Sequence, residues 1–221
     1  MHTRLKINWK SVKTVVGSVL LSLSLALPSC SSIDEVDYGF GEYYVEIVTA
    51  LENNAFRLDK GQTIYDSNKT AKQSFVSGDR VYLYFSYGNT LSDPITVHGA
   101  SKIFSTGLKT MPKETIFQET NEPVRFVSAW IGSHYLNLYF FFEYYPEAHQ
   151  LALAIDEKWM DDSEIHLYFQ HHKSSDSPGY PSSIYASFDL SEVLGEPQGD
   201  RSLFVHLDTS NYGNKTCTFK Y

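Results

Sequence analysis

The sequence predicts an all-β protein in which a small barrel is followed by an antiparallel β-sandwich. Aromatic residues make up 15% of the chain and Tyr alone supplies 16 residues, a composition that favours strands. Short segments with alternating apolar and polar residues recur along the chain. We find no long segment with the 3.6-residue period of an amphipathic helix, so the all-β classes fit best.

The amino-terminal segment has the pattern of a secretory signal. Four basic residues and no acidic residue lie in the first 13 positions, and residues 14–29 are uncharged and largely apolar. This stretch is shorter than the roughly 20 apolar residues that a membrane-spanning helix needs. It ends in Leu27-Pro28-Ser29-Cys30, which resembles a bacterial lipobox. We therefore predict a lipoprotein signal peptide at residues 1–29 and lipidation of Cys30, the alternative being an ordinary secretory signal with an unrelated cysteine.

The residues that follow the predicted signal suggest a tether and a location. Residues 30–37 are polar and acidic, which is typical of a solvated tether. They also resemble the acidic export tag of surface-exposed lipoproteins of the Bacteroidota. We predict an outer membrane lipoprotein held to the membrane by its amino-terminal lipid, with exposure at the cell surface as a further hypothesis.

Charge and cysteine content argue against several functional classes. Without residues 1–29 the chain has 14 basic and 26 acidic residues, a formal charge of −12. Such an acidic surface disfavours nucleic acid as a partner, because binding phosphates requires clustered Lys and Arg. Cys217 is the only cysteine besides Cys30, so neither an internal disulfide framework nor a cysteine-based zinc site is expected. We predict that Cys217 is buried and inert.

The barrel is predicted between residues 38 and 110. About five strands are expected there, at residues 43–50, 55–59, 63–65, 80–87 and 95–104. In the fourth strand Val81, Leu83 and Phe85 should point inward. Tyr82 and Tyr84 then share the opposite, outer face. This size and strand count suit a small closed barrel.

The sandwich is predicted over residues 111–221, after a charged and proline-containing linker near residue 110. Six or seven strands are expected, at residues 124–131, 135–145, 149–155, 164–171, 183–190, 202–207 and 216–221. The segments 135–145 and 149–155 suggest a hairpin. Residues 139–145 are aromatic on both faces of their strand, so at least one face must be covered. The other face is either an interface with the first domain or a surface for a partner.

Several segments resemble the NigD-like lipoproteins of the Bacteroidota. Besides the lipobox, these segments are residues 78–81, 131–138, 149–153, 167–172 and 186–190. The resemblance implies an OB-like amino-terminal domain followed by a carboxy-terminal β-sandwich. It implies no established biochemical activity, and the link of the family name to bacteriocin production is an association rather than a mechanism.

No motif in the sequence indicates catalysis. The chain has eight histidines, but their spacing matches no zinc pattern, and the adjacent His171 and His172 should point to opposite faces of a strand. Neither a Gly-x-Ser-x-Gly turn nor a glycine-rich phosphate loop occurs. We therefore predict no enzymatic activity, no metal and no cofactor.

A binding function is the remaining hypothesis. On the outer face of an OB-like barrel, Tyr82 and Tyr84 could stack on sugar rings or other planar ligands. The sequence thus suggests a binding or assembly module for a glycan or an envelope protein, and alternatively an immunity-type protein that sequesters a toxin. An aromatic groove flanked by carboxylates would favour a glycan, and a broad flat apolar patch would favour a protein.

Overall fold

Strands dominate the computed structural model, which describes residues 42–67, 75–117, 121–144, 149–158, 164–173, 179–195 and 201–220. The described residues belong to one compact unit, residues 40–221. The predicted signal peptide, Cys30 and the tether lie outside the described residues. Within the described part of the chain, no helix is long and apolar enough to cross a membrane.

Five strands of the first half form one antiparallel sheet. They are β1 Tyr43–Ala50, β2 Ala55–Leu58, β3 Thr63–Tyr65, β4 Arg80–Ser86 and β5 Thr96–Lys102. Their order in the sheet is β3-β2-β1-β4-β5. Among the described residues, the two edges meet at one isolated parallel bridge between Asp66 and Ile95, where the Ile95 amide donates to Tyr65 O over 2.8 Å. The described strands therefore form a partly open, barrel-like sheet rather than a closed barrel.

The inner face of this sheet contains the residues of β4 that the sequence predicted to point inward. Val81, Leu83 and Phe85 of β4 are buried, as predicted, and pack against Val48 and Ile64 of the neighbouring strands. Burial of each large apolar side chain contributes about 1.5–3 kcal/mol. The alternation of β4 thus leaves Arg80, Tyr82 and Tyr84 on the face that points away from this core.

The rest of the chain forms two packed sheets. Their strands are β6 Phe104–Thr106, β7 Lys109–Met111, β8 Arg125–Gly132, β9 Tyr135–Tyr144, β10 Gln150–Asp156, β11 Glu164–His172, β12 Tyr180–Asp189, β13 Ser202–Thr209 and β14 Gly213–Lys220. The larger sheet has the order β14-β13-β11-β10-β7, and the smaller sheet has the order β6-β12-β9-β8. The β-sandwich expected from the strand count is confirmed. The domain division near residue 110 stays a prediction, although the sandwich sheets already include β6 and β7.

Both sheets of the sandwich are mixed rather than purely antiparallel. Three pairs of strands are parallel, namely β7 with β10, β11 with β13, and β6 with β12. Two single-turn helices, α1 Lys113–Ile116 and α2 Ser191–Leu194, also occur. Alternation of side chains sets the two faces of a strand but carries no information on the direction of its neighbour, so the sequence could not reveal these parallel pairs.

The prediction that β9 and β10 form a hairpin is wrong. Strand β9 pairs with β8 and β12 in the smaller sheet, whereas β10 pairs with β7 and β11 in the larger sheet. The chain therefore crosses from one sheet to the other between them. The two strands contribute to one core from opposite sheets instead of sharing a ladder, because each has an apolar face that the opposite sheet must cover.

The sandwich core lies between the inner faces of these two sheets. Leu136, Leu138 and Phe140 of β9 are fully buried there. They pack with residues of the larger sheet such as Leu167 and Phe169, and the rings of Phe140 and Phe169 meet edge to face with centroids 5.2 Å apart. With β9 held in this way, its alternate residues, from Tyr135 to Phe141, form the outer face of the smaller sheet.

Candidate functional site

A buried arginine joins the first sheet to the sandwich. The side chain of Arg80 is 0% exposed and forms a bidentate ion pair with Asp59, with nitrogen to oxygen distances of 2.7 and 3.0 Å. Its Nη1 also donates to Thr49 Oγ1, its Nη2 to Asn137 Oδ1 and its Nε to Ser187 Oγ. These contacts use all five N–H donors of the guanidinium, which allows a charge to remain buried. We call these five residues the Arg80 network.

The Arg80 network draws on strands of both halves and on the segment that carries Asp59. Thr49 and Arg80 are paired residues of β1 and β4, and Asn137 and Ser187 are paired residues of β9 and β12. Asn137 also donates to Asp59 Oδ2 over 3.1 Å, so the carboxylate accepts from both halves. The guanidinium lies 4.1 Å from the ring centroid of Tyr135, a cation–π contact. One shared charge pair therefore links the two halves.

Close packing at this junction requires a glycine. Gly132 ends β8, and a Cβ placed on it would lie 2.1 Å from Asp59 Oδ2 and 2.6 Å from Asp59 Cγ. Only a residue without a side chain allows the carboxylate to approach this closely. The segments that carry the resemblance in the sequence supply Arg80, Gly132, Asn137 and Ser187 to this junction.

Next to the junction lies a cleft of about 510 Å³ between the first sheet and the edge of the sandwich. Among the described residues, five aromatic side chains line it. Tyr82 of β4, Trp130 of β8 and Tyr185 of β12 form one cluster there, and Tyr44 and Phe85 are the other two. The rings of Tyr82 and Tyr185 have centroids 5.2 Å apart, and Trp130 meets Tyr185 edge to face at 6.5 Å. We call this cavity the aromatic cleft.

The other lining residues of the aromatic cleft are mainly apolar, with a few polar side chains. Glu46, Lys60 and Gln62 supply a carboxylate, an ammonium group and an amide. Asp59 also lines the cleft, but its carboxylate is held by Arg80. The Tyr185 hydroxyl is protonated at neutral pH and can donate a hydrogen bond, and burial raises its pKa further.

The aromatic surface continues from the cleft along the outer face of the smaller sheet. Tyr139 stacks on Tyr185 with ring centroids 4.4 Å apart and an angle of 12°, and Phe141 follows at 5.7 Å from Tyr139. The guanidinium of Arg125 lies 5.5 Å from the ring of Phe141. The two faces of β9 therefore have different surroundings. One forms the core, and the other is covered by the first sheet at one end and half-buried farther along.

The two tyrosines selected from the sequence occupy different environments. Tyr82 lines the aromatic cleft, whereas Tyr84 is not part of its lining. Tyr84 lies beside Tyr43 and His98, with centroid distances of 5.4 Å to each ring. They share a face of β4 as predicted, and a role of either in ligand binding stays a prediction.

Three histidines of the larger sheet and His149, which directly precedes β10, form two hydrogen-bonded pairs. His149 Nδ1 lies 2.8 Å from His171 Nε2, and His166 Nδ1 lies 2.9 Å from His206 Nε2. Burial lowers the pKa of His149, His171 and His206, which favours neutral rings. No group of three or more metal-binding side chains occurs within the described ranges.

Cys217 is a free, half-buried thiol of β14. Burial raises the pKa of this thiol, which disfavours the reactive thiolate. This environment fits the predicted inert role better than a nucleophilic one.

Sequence reasoning missed most of the site. The sequence identifies Trp130 and Tyr185 as strand residues but not as cleft residues, and Arg80 only as the start of a strand. Alternation within β8 and β12 does place both rings on the outer face of the sandwich. Alternation does not predict where the first sheet packs. The cleft exists because that sheet covers part of the outer face.

Comparisons with known proteins agree with this architecture. No curated protein matches the chain. Among solved structures, a protein of Parabacteroides distasonis named as toxin-related is 24% identical, with a TM-score of 0.67 over 81% of this chain and 93% of that chain. A NigD-like immunity protein of Bacteroides caccae is 16% identical, with a TM-score of 0.60 over 83% of this chain and 98% of that chain. A protein of Bacteroides fragilis named as a lipoprotein is 14% identical, with a TM-score of 0.59 over 81% of this chain and 96% of that chain.

At these identities the likeness to the solved structures shows the fold alone. A family model assigns the family, because residues 108–221 match the NigD-like C-terminal beta sandwich domain. That match covers more than half of the 221 residues, so the chain belongs to the NigD-like family.

Proposed function

We propose that this protein is a non-catalytic, lipid-anchored binding module of the bacterial envelope that holds a glycan in the aromatic cleft. The observation that carries this proposal is the meeting of Tyr82, Trp130 and Tyr185 in a cleft of about 510 Å³. Clefts of this size at a junction between domains are common positions of ligand sites.

The chemistry of the cleft suits a sugar. The C–H faces of a sugar ring can pack on aromatic rings, and its hydroxyls require polar side chains placed around them. The three rings supply the apolar surface, while Glu46 and Gln62 supply hydrogen-bonding groups beside it. An aromatic groove next to a carboxylate is the arrangement that favours a glycan over a flat protein surface.

The same lining argues for binding rather than catalysis. Among the described residues that line the cleft, the ionisable side chains besides the tyrosines are Glu46, Asp59 and Lys60. Asp59 is paired with Arg80, and a site that hydrolyses a glycosidic bond would usually need two carboxyl groups placed on either side of that bond. The described histidine pairs lie outside this lining.

The test is a glycan-array screen with residues 31–221, which contain the whole compact unit. The Tyr82→Ala/Trp130→Ala variant should lose the signal because two of the three rings of the cluster with Tyr185 are removed. Tyr65→Ala is the matched control, since Tyr65 is 58% exposed and does not line the cleft. A signal that survives in the double variant, or no glycan signal at all, would refute glycan binding at this cleft.

The second candidate function is an immunity-type protein that binds a toxin. It is favoured by the names of two proteins with this fold, one NigD-like immunity protein and one toxin-related protein. In this case the half-buried rings of Tyr139, Phe141 and Trp130 would contact a protein. A pull-down from envelope extracts, run beside a Phe141→Ala variant, should then capture one protein in stoichiometric amount, and the variant should weaken that capture.

A further inference from the structure

A second cleft lies on the outer face of the larger sheet, away from the aromatic cleft. The parallel ladder of β11 and β13 runs from the pair of Glu164 and Ser202 to the pair of Tyr168 and His206. Beyond this pair, Asn121 replaces β13 as the hydrogen-bonding neighbour of β11. Its Nδ2 donates to Phe169 O, and its Oδ1 accepts from the amide of His171. The two strands thus separate, and a cleft of about 490 Å³ lies beside the separation. We call it the Gln170 cleft.

The walls of the Gln170 cleft are polar and aromatic. The sheet contributes Tyr168, Gln170, Asp208, Asn214 and Thr216, and the segment after α1 contributes Phe117. Phe117 is 63% exposed and meets the ring of Tyr168 edge to face, with centroids 5.2 Å apart.

Gln170 is the residue that points to a ligand. Its side chain is buried, with 3% of the residue exposed, yet neither Oε1 nor Nε2 has a hydrogen-bond partner in the part of the chain that the structure describes. Buried amides normally have partners, because leaving such a group unpaired opposes folding. An apolar residue at this strand position would avoid the cost. The unpaired donor and acceptor therefore indicate a site that a ligand completes.

We propose that the Gln170 cleft binds an N-acetylated sugar. A carboxamide presents a donor and an acceptor side by side, which is the complement of the acetamido group of such a sugar. Asp208, Asn214 and Thr216 offer the carboxylate, amide and hydroxyl groups that bind ring hydroxyls. Phe117 offers an apolar face at the rim.

The charge of the Gln170 cleft also fits a neutral ligand. Among the described residues that line it, Asp208 supplies a carboxylate, Lys215 an ammonium group and His206 an imidazole whose pKa burial lowers, so neither an anionic nor a cationic ligand is favoured by them overall. This inference is independent of the aromatic cleft, because the two linings share no residue.

The experiment is an NMR titration of residues 31–221, which contain the whole compact unit, followed through the side-chain amide signal of Gln170. N-acetylglucosamine should shift this signal, and glucose, which lacks the acetamido group, should not. Gln170→Met keeps the length of the side chain and removes the amide, so affinity for N-acetylglucosamine should fall by at least about tenfold. The same variant should remain folded, with unchanged or higher thermal stability.

Two control variants establish whether the binding depends on Gln170 itself. Gln150→Met makes the same change at an exposed position of β10 and should leave binding unchanged. Tyr82→Ala removes a ring of the aromatic cleft and should also leave it unchanged, so the two sites can fail independently. Equal shifts with both sugars, no shift with either, or unchanged affinity in Gln170→Met would each overturn the proposal. A response to an N-acetylated dipeptide amide but not to N-acetylglucosamine would overturn the sugar as ligand.

Discussion

At the scale of single residues, Arg80 shows how a polar position can become the centre of a junction. It lies on the outer face of β4, together with Tyr82 and Tyr84, as alternation requires. An arginine on an outer face is usually solvated. Here the sandwich covers it, and Asp59, Thr49, Asn137 and Ser187 replace the water that its donors would otherwise bind. Which end of that face is covered depends on residues far away in the sequence.

Removing the charge of Arg80 should destabilise the protein strongly. We expect Arg80→Met to lower the free energy of unfolding by about 3–5 kcal/mol, because the carboxylate of Asp59 loses its partner in a largely buried position. The Arg80→Met/Asp59→Leu double variant should recover a large part of this loss, since no unpaired charge remains. Urea denaturation of the three proteins measures both effects. A loss below about 1 kcal/mol in the single variant would show that the pair is not essential to the junction.

A methyl group at Gly132 should be harmful for a steric reason. Because the added Cβ would lie 2.1 Å from Asp59 Oδ2, either β8 or the segment that carries Asp59 must move. We expect Gly132→Ala to cost about 1–3 kcal/mol, the usual range for overpacking. Gly107→Ala is the control, because a Cβ there meets no atom within 4 Å. Thermal unfolding should therefore shift downward for the first variant and hardly change for the second.

At the scale of secondary-structure elements, the sequence predicts strands well and their partners poorly. The inward face of β4 and the aromatic outer face of β9 both follow from alternation, which is a local property. Pairing is not local. The apolar and aromatic residues of β9 on both faces suited a hairpin with β10 as well as the observed place between β8 and β12. Only the packing of two whole sheets decides between these arrangements.

The histidine pairs of the larger sheet predict a pH dependence of stability. Burial lowers the pKa of His149, His171 and His206 in the folded protein, while the unfolded chain takes up protons near the ordinary value of 6.5. The unfolded state therefore binds more protons below that value, so stability is fully present above pH 6.5 and falls as the pH decreases towards the folded values.

Thermal unfolding between about pH 7.5 and about pH 5.5 tests this sign, since the melting temperature should fall with pH. His171→Gln should flatten the dependence, and His98→Gln, at an exposed position, should keep it. A melting temperature that rises on acidification would contradict the assignment of neutral histidine pairs.

At the scale of the whole molecule, the candidate site belongs to neither half alone. Tyr82 comes from the first sheet, Trp130 and Tyr185 come from the sandwich, and the Arg80 network links the two halves beside them. The fold class and the face of Tyr82 could be predicted from local patterns. The cleft could not, because its walls are far apart in the sequence and meet only through the packing of the two halves. Tyr84 illustrates the limit, since it shares the face of Tyr82 but lies beyond the cleft.

Attachment to a membrane can be tested with a chain that includes residues 1–30. If Cys30 is acylated, each buried methylene of its lipid chains contributes about 0.8 kcal/mol, and several chains together make the attachment effectively permanent. The full chain expressed in a bacterial host should then incorporate an alkyne fatty acid and sediment with membranes. Cys30→Ala should lose the label and the membrane association, whereas Cys217→Ala should keep both, because its half-buried thiol lies within β14. Label on Cys30→Ala, or an unlabelled and soluble parent chain, would contradict lipidation at this residue.

Protease treatment of intact cells then distinguishes the two sides of the outer membrane, since a protein exposed at the surface should be degraded and one facing the periplasm should be protected.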